Sequence, residues 1–482
     1  MATMTNTIDT FLQECSDLLG PKGFTRIPED IEPWATDWRG RYTGSALALA
    51  SPASTAEVSA LVKLCAEHRV PIVPQGGNSG MAGGATPDES GAAIILSLRR
   101  MNAIRSVDAG AGQAVCDAGV ILQTFHEAAE ANNLRFPLTL GGKGSATIGG
   151  LISTNAGGTQ VLRHGTMRAQ VLGIEAVLAD GSVFDALTVL KKDNRGFDLK
   201  QLLIGSEGTL GIVTGAALRL LPAPRARATA WIGLSSITDA RTLLRRVDRA
   251  LGDTLEGFEV VPAHCLDSVL AHLPDARSPL QQRHAWNALV ECVSLDGDDA
   301  ELRERLELAL ADAAEDELLS DAVIASNERQ AEDFWTLRDS ISAAERALGP
   351  AMQHDISVPV ERMPEFILAA SPAIEASHPG TSAVAFGHLG DGNVHFHVLA
   401  PNGAVPGEWE ESDGKAISAQ VYDLVTQWGG SISAEHGIGQ MKVAELGRLG
   451  DPVALSVMRA VKKALDPQGL LNPGKLVPAK GI

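Results

Sequence analysis

Apolar residues at Ile8, Phe11, Leu12, Cys15, Leu18 and Leu19 recur at helical spacing, which predicts an amphipathic helix at the start of the chain. Ser54-Thr55-Ala56-Glu57 is a capping-box pattern, and Val58, Leu61, Val62 and Cys65 form the apolar stripe of the helix it opens. Short apolar runs at 70–73 and 93–98 read as strands, and 171–177 with 183–184 around Asp180-Gly181 reads as a hairpin. Farther along, Phe334, Leu337 and Ile341 mark one face of a helix that carries Arg338 and Ser342 side by side, four residues apart. The acidic stretch 300–319 has helical composition and reads as a solvated face. Val394, Phe396 and Val398 alternate with His395 and His397, so the two histidines share one face of a strand.

Between these elements lie three glycine-rich tracts, at 74–84, 140–158 and 205–213. Glycines let backbone amides crowd around an anion and let the chain lie against a flat ligand without Cβ clashes. Structural turns would account for any one tract; three in one α+β region favour a nucleotide site. No Gly-x-x-x-x-Gly-Lys-[Ser/Thr] occurs, nor a Gly-x-Gly-x-x-Gly between a strand and a helix, which disfavours a kinase or an ordinary nicotinamide-binding domain. Pro222 and Pro224, amid Arg219, Arg225 and Arg227, place a domain boundary where the glycine-rich region ends.

A length of 482 residues exceeds the usual single core, so two or three domains are expected. The net charge of −19 speaks against non-specific attraction to nucleic acid or anionic lipid. No apolar run is long enough to span a bilayer, and residues 1–20 lack a signal-peptide pattern. Cys15, Cys65, Cys116, Cys265 and Cys292 form no Cys-x-x-Cys pair, against a zinc ribbon, an iron–sulfur cluster or a disulfide framework, so a reducing, cytoplasmic setting is expected.

The chemistry concentrates late in the chain. His388 and His395 flank the turn Leu389-Gly390-Asp391-Gly392, His397 follows, and Glu435-His436-Gly437 lies downstream. Imidazoles with a carboxylate suit a zinc-like or iron-like divalent ion with open positions for a substrate. A set of hydrogen-bonded histidines around a tight turn is the competing reading; for a cluster of this size, ligation is favoured.

Taken together and in order, 74–84, 149–158, 205–213, 387–395, 433–439 and 471–475 resemble the FAD-linked D-2-hydroxy acid dehydrogenases of the vanillyl-alcohol oxidase superfamily, such as D-2-hydroxyglutarate and D-lactate dehydrogenases. The resemblance spans nearly the whole chain. It implies an α+β fold: a two-lobed FAD-binding domain over 1–221, an antiparallel-sheet substrate and metal domain over 222–455, and a segment, 456–482, returning to the FAD domain. It implies His388, His395 and Glu435 as metal ligands, zinc first with manganese or iron as alternatives, and His436 as catalytic base. The cofactor-lining residues it implies are Pro74, Gly76, Gly77, Asn78, Ser79, Gly80, Leu140, Gly141, Ser145, Thr147, Gly150, Asn155, Gly157, Glu207, Gly211, Ile212 and Asn472. Asn78 is neither His nor Cys, so covalent flavin attachment there is not expected. On a regular strand Glu435 and His436 would face opposite ways, so both can serve one site only in irregular backbone, which Gly437 permits.

The implied reaction takes a D-2-hydroxy acid to its 2-oxo acid, with hydride passing to the flavin and electrons onward to a non-nicotinamide acceptor such as an electron-transfer flavoprotein or a quinone. A homodimer is left open. In the 2-hydroxyglutarate dehydrogenases an Arg, a hydroxyl residue and a downstream Lys grip the distal carboxylate. Arg338 and Ser342 match the first two, but Gln353 stands at the Lys position, and His397 stands where that group typically has Asn near the substrate. A dicarboxylate is therefore expected to be held less tightly, or another side chain preferred. For Arg338 the alternative is a surface salt bridge with Glu332, Asp333 or Glu345. A D-lactate dehydrogenase, a non-redox flavin transferase on the same fold and a non-catalytic nucleotide-binding protein are the other readings.

Overall fold

The computed structural model describes residues 2–190 and 192–479. The chain folds into two compact units, one of Met1–Gly158, Gly165–Pro222 and Glu435–Ile482, the other of Thr159–His164 and Ala223–Ala434. The break at Pro222 falls where the proline–arginine punctuation indicates. The return to the first unit begins at Glu435, earlier than the expected 456, and 159–164 crosses into the second unit, held there by Arg163 Nη1 donating to the Val293 carbonyl at 3.0 Å.

In the first unit, the helix Ala2–Gly23 buries Phe11 and Cys15 and is broken at Gly20, whose φ of 63° ends the regular turn. It packs on Thr55–His68, where the Ser54 hydroxyl accepts the Glu57 N–H at 3.2 Å. The Glu57 carboxylate reaches back one residue farther than a standard box, to the Ala53 N–H at 2.7 Å. A four-stranded sheet runs in the order Phe24–Thr25, Ala48–Ala50, Ile94–Ser97, Ile72–Gln75. A five-stranded antiparallel sheet runs Ile104–Asp108, Gln113–Asp117, Ile212–Arg219, Val171–Val177, Val183–Ala186. One apolar core joins them through Leu61, Ile72, Ile94, Ile148, Ile174 and Ile212. The last segment is stitched in by Asn472 N–H to Ile72 O and Ile72 N–H to Leu470 O, both 2.8 Å.

The second unit is built on a seven-stranded antiparallel sheet in the order Asp321–Ile324, Ala226–Leu234, Trp286–Ser294, Leu255–Pro262, Ser382–His388, Asn393–Leu399, Ala351–Ser357. Trp231, Val261, Leu289, Val384 and Phe386 on one face meet Phe334, Leu337 and Ile341. The single helix expected across these last three is two, Glu328–Asp339 and Ile341–Leu348, joined at Ser340, an αR residue whose N–H turns back to the Thr336 and Arg338 carbonyls. The acidic stretch is the helix Asp299–Glu315, whose Leu302, Leu306, Ala309 and Leu310 are buried, so only its outer side is solvated.

Candidate active site

In the first unit the glycine tracts converge on one pocket. All the expected cofactor residues line it except Gly141, Ser145, Asn155 and Asn472. Asn155 ends the helix Ile148–Thr154 at φ 49°, and its Oδ1 accepts from Thr166 Oγ1 and from the Arg168 N–H, each at 3.0 Å. Asn472 Nδ2 donates to the Gly84 and Glu207 carbonyls at 2.8 and 2.7 Å. Both side chains therefore brace the loops that form the pocket. Met81, Ala156 and Val213, inside the tracts, also line it, as do Ala85, the residue after the first tract, and Leu98 at the end of the 93–98 strand; the tracts themselves were the available signal for all but Leu98.

Close approach explains the glycines. A Cβ on Gly77 would overlap the Ser145 carbonyl, and one on Gly76 would strike Thr147 Oγ1, so the 74–84 and 140–150 loops touch backbone to backbone. Gly80 has open space around the corresponding position. Gly77→Ala is therefore expected to part the loops and weaken FAD binding by about ten-fold or more, at the ~1–3 kcal/mol typical of overpacking. Fluorescence titration of FAD into deflavinated protein checks this, with Gly80→Ala expected to bind as the wild type does.

Glu207, itself at φ 51°, accepts the Ile438 and Gly439 N–H groups, each at 2.7 Å. Burial raises its pKa, opposed by those two N–H groups and by Lys442. The clamp holds the segment after Glu435 and His436, which runs in irregular backbone; Gly437, at φ 76°, turns it against the Glu207 carboxylate. As expected of such backbone, Glu435 and His436 both line the same pocket.

In the second unit, directly opposed strand residues place Glu259, Phe386, His388, His395, His397, Gln353 and Asp355 on one face of the sheet. The Phe386 ring lies 5.1 Å from that of His395 and 5.2 Å from that of His397, and the His388 and His395 rings are 5.3 Å apart. Arg338 is buried, with its guanidinium 5.1 Å over Phe386 and its Nε donating to Glu259 at 2.8 Å, which rules out the exposed salt bridge with its helix neighbours. Glu259 also accepts from His388 Nδ1. Burial would raise the Glu259 pKa, but His388 and Arg338 hold it at about 2. When the His388 ring is neutral, this hydrogen bond keeps the proton on Nδ1 and leaves the lone pair on Nε2, the arrangement found behind metal-ligating histidines. Burial, with Arg338 and His388 nearby, pushes the His395 pKa well below the ordinary range and keeps that imidazole neutral, as a ligand must be.

His397 Nδ1 pairs with Glu345 Oε2 at 2.5 Å; Glu345 is the residue that sequence reasoning gave only a surface role. Gln353 sits directly opposite His397, and Ser342 is half-buried on the second of the two covering helices. No group of three or more His, Cys, Asp or Glu side chains placed to hold a metal occurs among the described residues. Of the expected ligands, His388 and His395 lie in the second unit and Glu435 in the first.

The matches with known proteins agree on one family. Residues 46–186 match the FAD binding domain, and residues 223–476 match the C-terminal domain of FAD linked oxidases. A mitochondrial D-2-hydroxyglutarate dehydrogenase of Arabidopsis thaliana is 38% identical over 96% of this chain and 80% of its own length. That of Bos taurus is 39% identical over 94% and 80%, and a D-2-hydroxyglutarate dehydrogenase of Xanthomonas citri pv. viticola is 36% identical over 93% of each. Among solved structures, p-cresol methylhydroxylase superposes with a TM-score of 0.72 at 15% identity, covering 98% of this chain and 96% of its own. An alkyldihydroxyacetonephosphate synthase gives 0.71 at 16%, covering 96% and 84%. Those two likenesses establish the two-domain α+β fold and nothing about chemistry. The sequence relatives decide between the redox and transferase readings: this chain belongs to the FAD-linked D-2-hydroxy acid dehydrogenase family.

Proposed function

We propose that this enzyme oxidises a D-2-hydroxy acid with the help of a divalent metal, zinc first, held by His388, His395 and Glu435, while His436 takes the proton of the C2 hydroxyl. FAD, when bound, supplies the two-electron oxidant. The metal, when bound, supplies Lewis acidity toward the substrate's oxygens. The observation that carries the metal part is the buried Glu259–His388 pair, which fixes one imidazole in a ligand-competent tautomer beside a second imidazole kept neutral by burial.

His436 lines the same pocket as the glycine loops, so a base there works next to the cofactor pocket. Arg338, Ser342, Gln353 and His397 are proposed to meet the substrate beyond C2. The acceptor is proposed to be a non-nicotinamide carrier, an electron-transfer flavoprotein or a quinone, consistent with the missing dinucleotide fingerprint. The five cysteines are all buried and unbridged, which supports a reducing compartment such as the cytoplasm.

Dialysis of the FAD-loaded enzyme against a chelator is expected to lower kcat by ~10-fold or more with FAD retained, and added zinc should restore it. Full activity in protein shown by elemental analysis to be metal-free would remove the metal from the proposal.

A further inference from the structure

The sheet face beside His397 holds a buried donor and a buried acceptor with nothing to bind. Glu345 is 2% exposed and gives Oε2 to His397, yet its Oε1 has no hydrogen-bond partner among the described residues. Gln353, directly across the strand pair from His397, likewise buries Nε2 without an acceptor. A buried polar atom left unpaired is costly, so two around one histidine mark a place where a ligand completes the bonding.

The charges there do not suit a second carboxylate. Arg338 is the one permanently charged cation among these groups, and its Nε is already engaged by Glu259. Glu345 and Asp355, both 2% exposed, place two more carboxyl groups on the same face. Gln353 adds a donor and no charge. An anionic distal group would meet Glu345 at close range in a dry site, where like charges repel strongly.

Resting on the D-2-hydroxy acid dehydrogenase reading, we propose that the subsite beyond C2 selects a D-2-hydroxy acid with an uncharged terminal carboxamide, whose N–H donates to Glu345 Oε1 and whose carbonyl accepts from Gln353 Nε2. A primary amide is the small neutral group that offers a donor and an acceptor side by side. Arg338 keeps its Nε on Glu259, and neither of the two amide bonds is assigned to it. A site built around such paired bonds discriminates strongly against analogues that leave its groups unmet.

The test compares kcat/KM of the FAD-loaded full chain, with a dye acceptor at one pH, for D-2-hydroxyglutarate and for the same acid with its terminal carboxyl converted to the amide. The wild type is expected to prefer the amide by ~10-fold or more, and the Glu345→Gln/Gln353→Lys pair to move the ratio at least ~10-fold toward the dicarboxylate. Because ratios are read, partial loss of folded protein does not disturb the comparison, and the wild-type ratio decides even if the double variant fails to fold. A wild type that handles both equally or prefers the dicarboxylate overturns the proposal while leaving the dehydrogenase reading intact. If neither compound, nor D-lactate, is oxidised by the yellow holoenzyme, the dehydrogenase reading fails and takes this proposal with it.

Discussion

His436→Asn is expected to slow anaerobic flavin reduction by a D-2-hydroxy acid about 10²- to 10⁴-fold while FAD content and melting temperature stay near wild type. The range is that of general-base assistance. Asparagine keeps the polar contact and loses the basic nitrogen, so the effect isolates proton removal. The side chain is well placed to be tested this way. It lies in irregular backbone that Glu207 clamps through Ile438 and Gly439, and none of those bonds involves the imidazole. Rapid mixing with substrate in the absence of oxygen reads the reductive step alone. A variant that reduces its flavin at near-normal speed would show that the proton leaves by another route.

Glu259→Ala is the second large effect, and it falls on stability and, under the proposed metal role, on metal affinity. The carboxylate is buried between Arg338 and His388, and removing one member of such a cluster leaves a guanidinium without its partner in a dry environment, a loss of about 3–5 kcal/mol. It also releases the His388 tautomer, for which a ~10- to 100-fold loss of metal affinity is typical. Denaturant midpoints measure the first and competitive metal titration the second.

The pH dependence has a defined sign. The folded-state pKa of Glu259, about 2, lies below the ordinary 4.5, so its contribution is complete above 4.5 and is lost as pH falls toward 2. The stability gap between wild type and Glu259→Gln is accordingly expected to narrow across that window, and a gap that widened there would contradict the assigned pairing.

Local signals in the chain carried much of this. The Ser54 cap, the alternation 394–398 and the glycine tracts each depend on residues within a few positions of one another, and each appears as a helix start, a strand and a pocket wall. Gly437 likewise announced the irregular backbone that lets neighbouring Glu435 and His436 share a pocket.

What stayed hidden is non-local. Glu259 is 79 residues from Arg338 and 129 from His388, and Glu345 is 52 from His397; only the strand order of the antiparallel sheet brings them together. Arg338 therefore reads, from sequence, as a grip on the substrate's distal carboxylate, with a surface salt bridge as the alternative, while its bond to the buried Glu259 carboxylate goes unseen. Asn155 and Asn472 were expected, from the resemblance, to line the cofactor; whether such a side chain meets a ligand or braces a loop depends on backbone partners no spacing reveals. The early return at Glu435 belongs to the same class, since nothing local separates it from the strand region before it.

The central claim is that the enzyme removes two electrons from the D enantiomer of a 2-hydroxy acid and places them on its flavin. Mixing the oxidised holoenzyme anaerobically with paired D- and L-2-hydroxy acids tests it most directly. The account predicts bleaching of the flavin absorbance by D enantiomers, with one equivalent of 2-oxo acid per flavin, and none by their L counterparts. Flavin that stays oxidised with every D acid, or that bleaches equally with the L series, would contradict it.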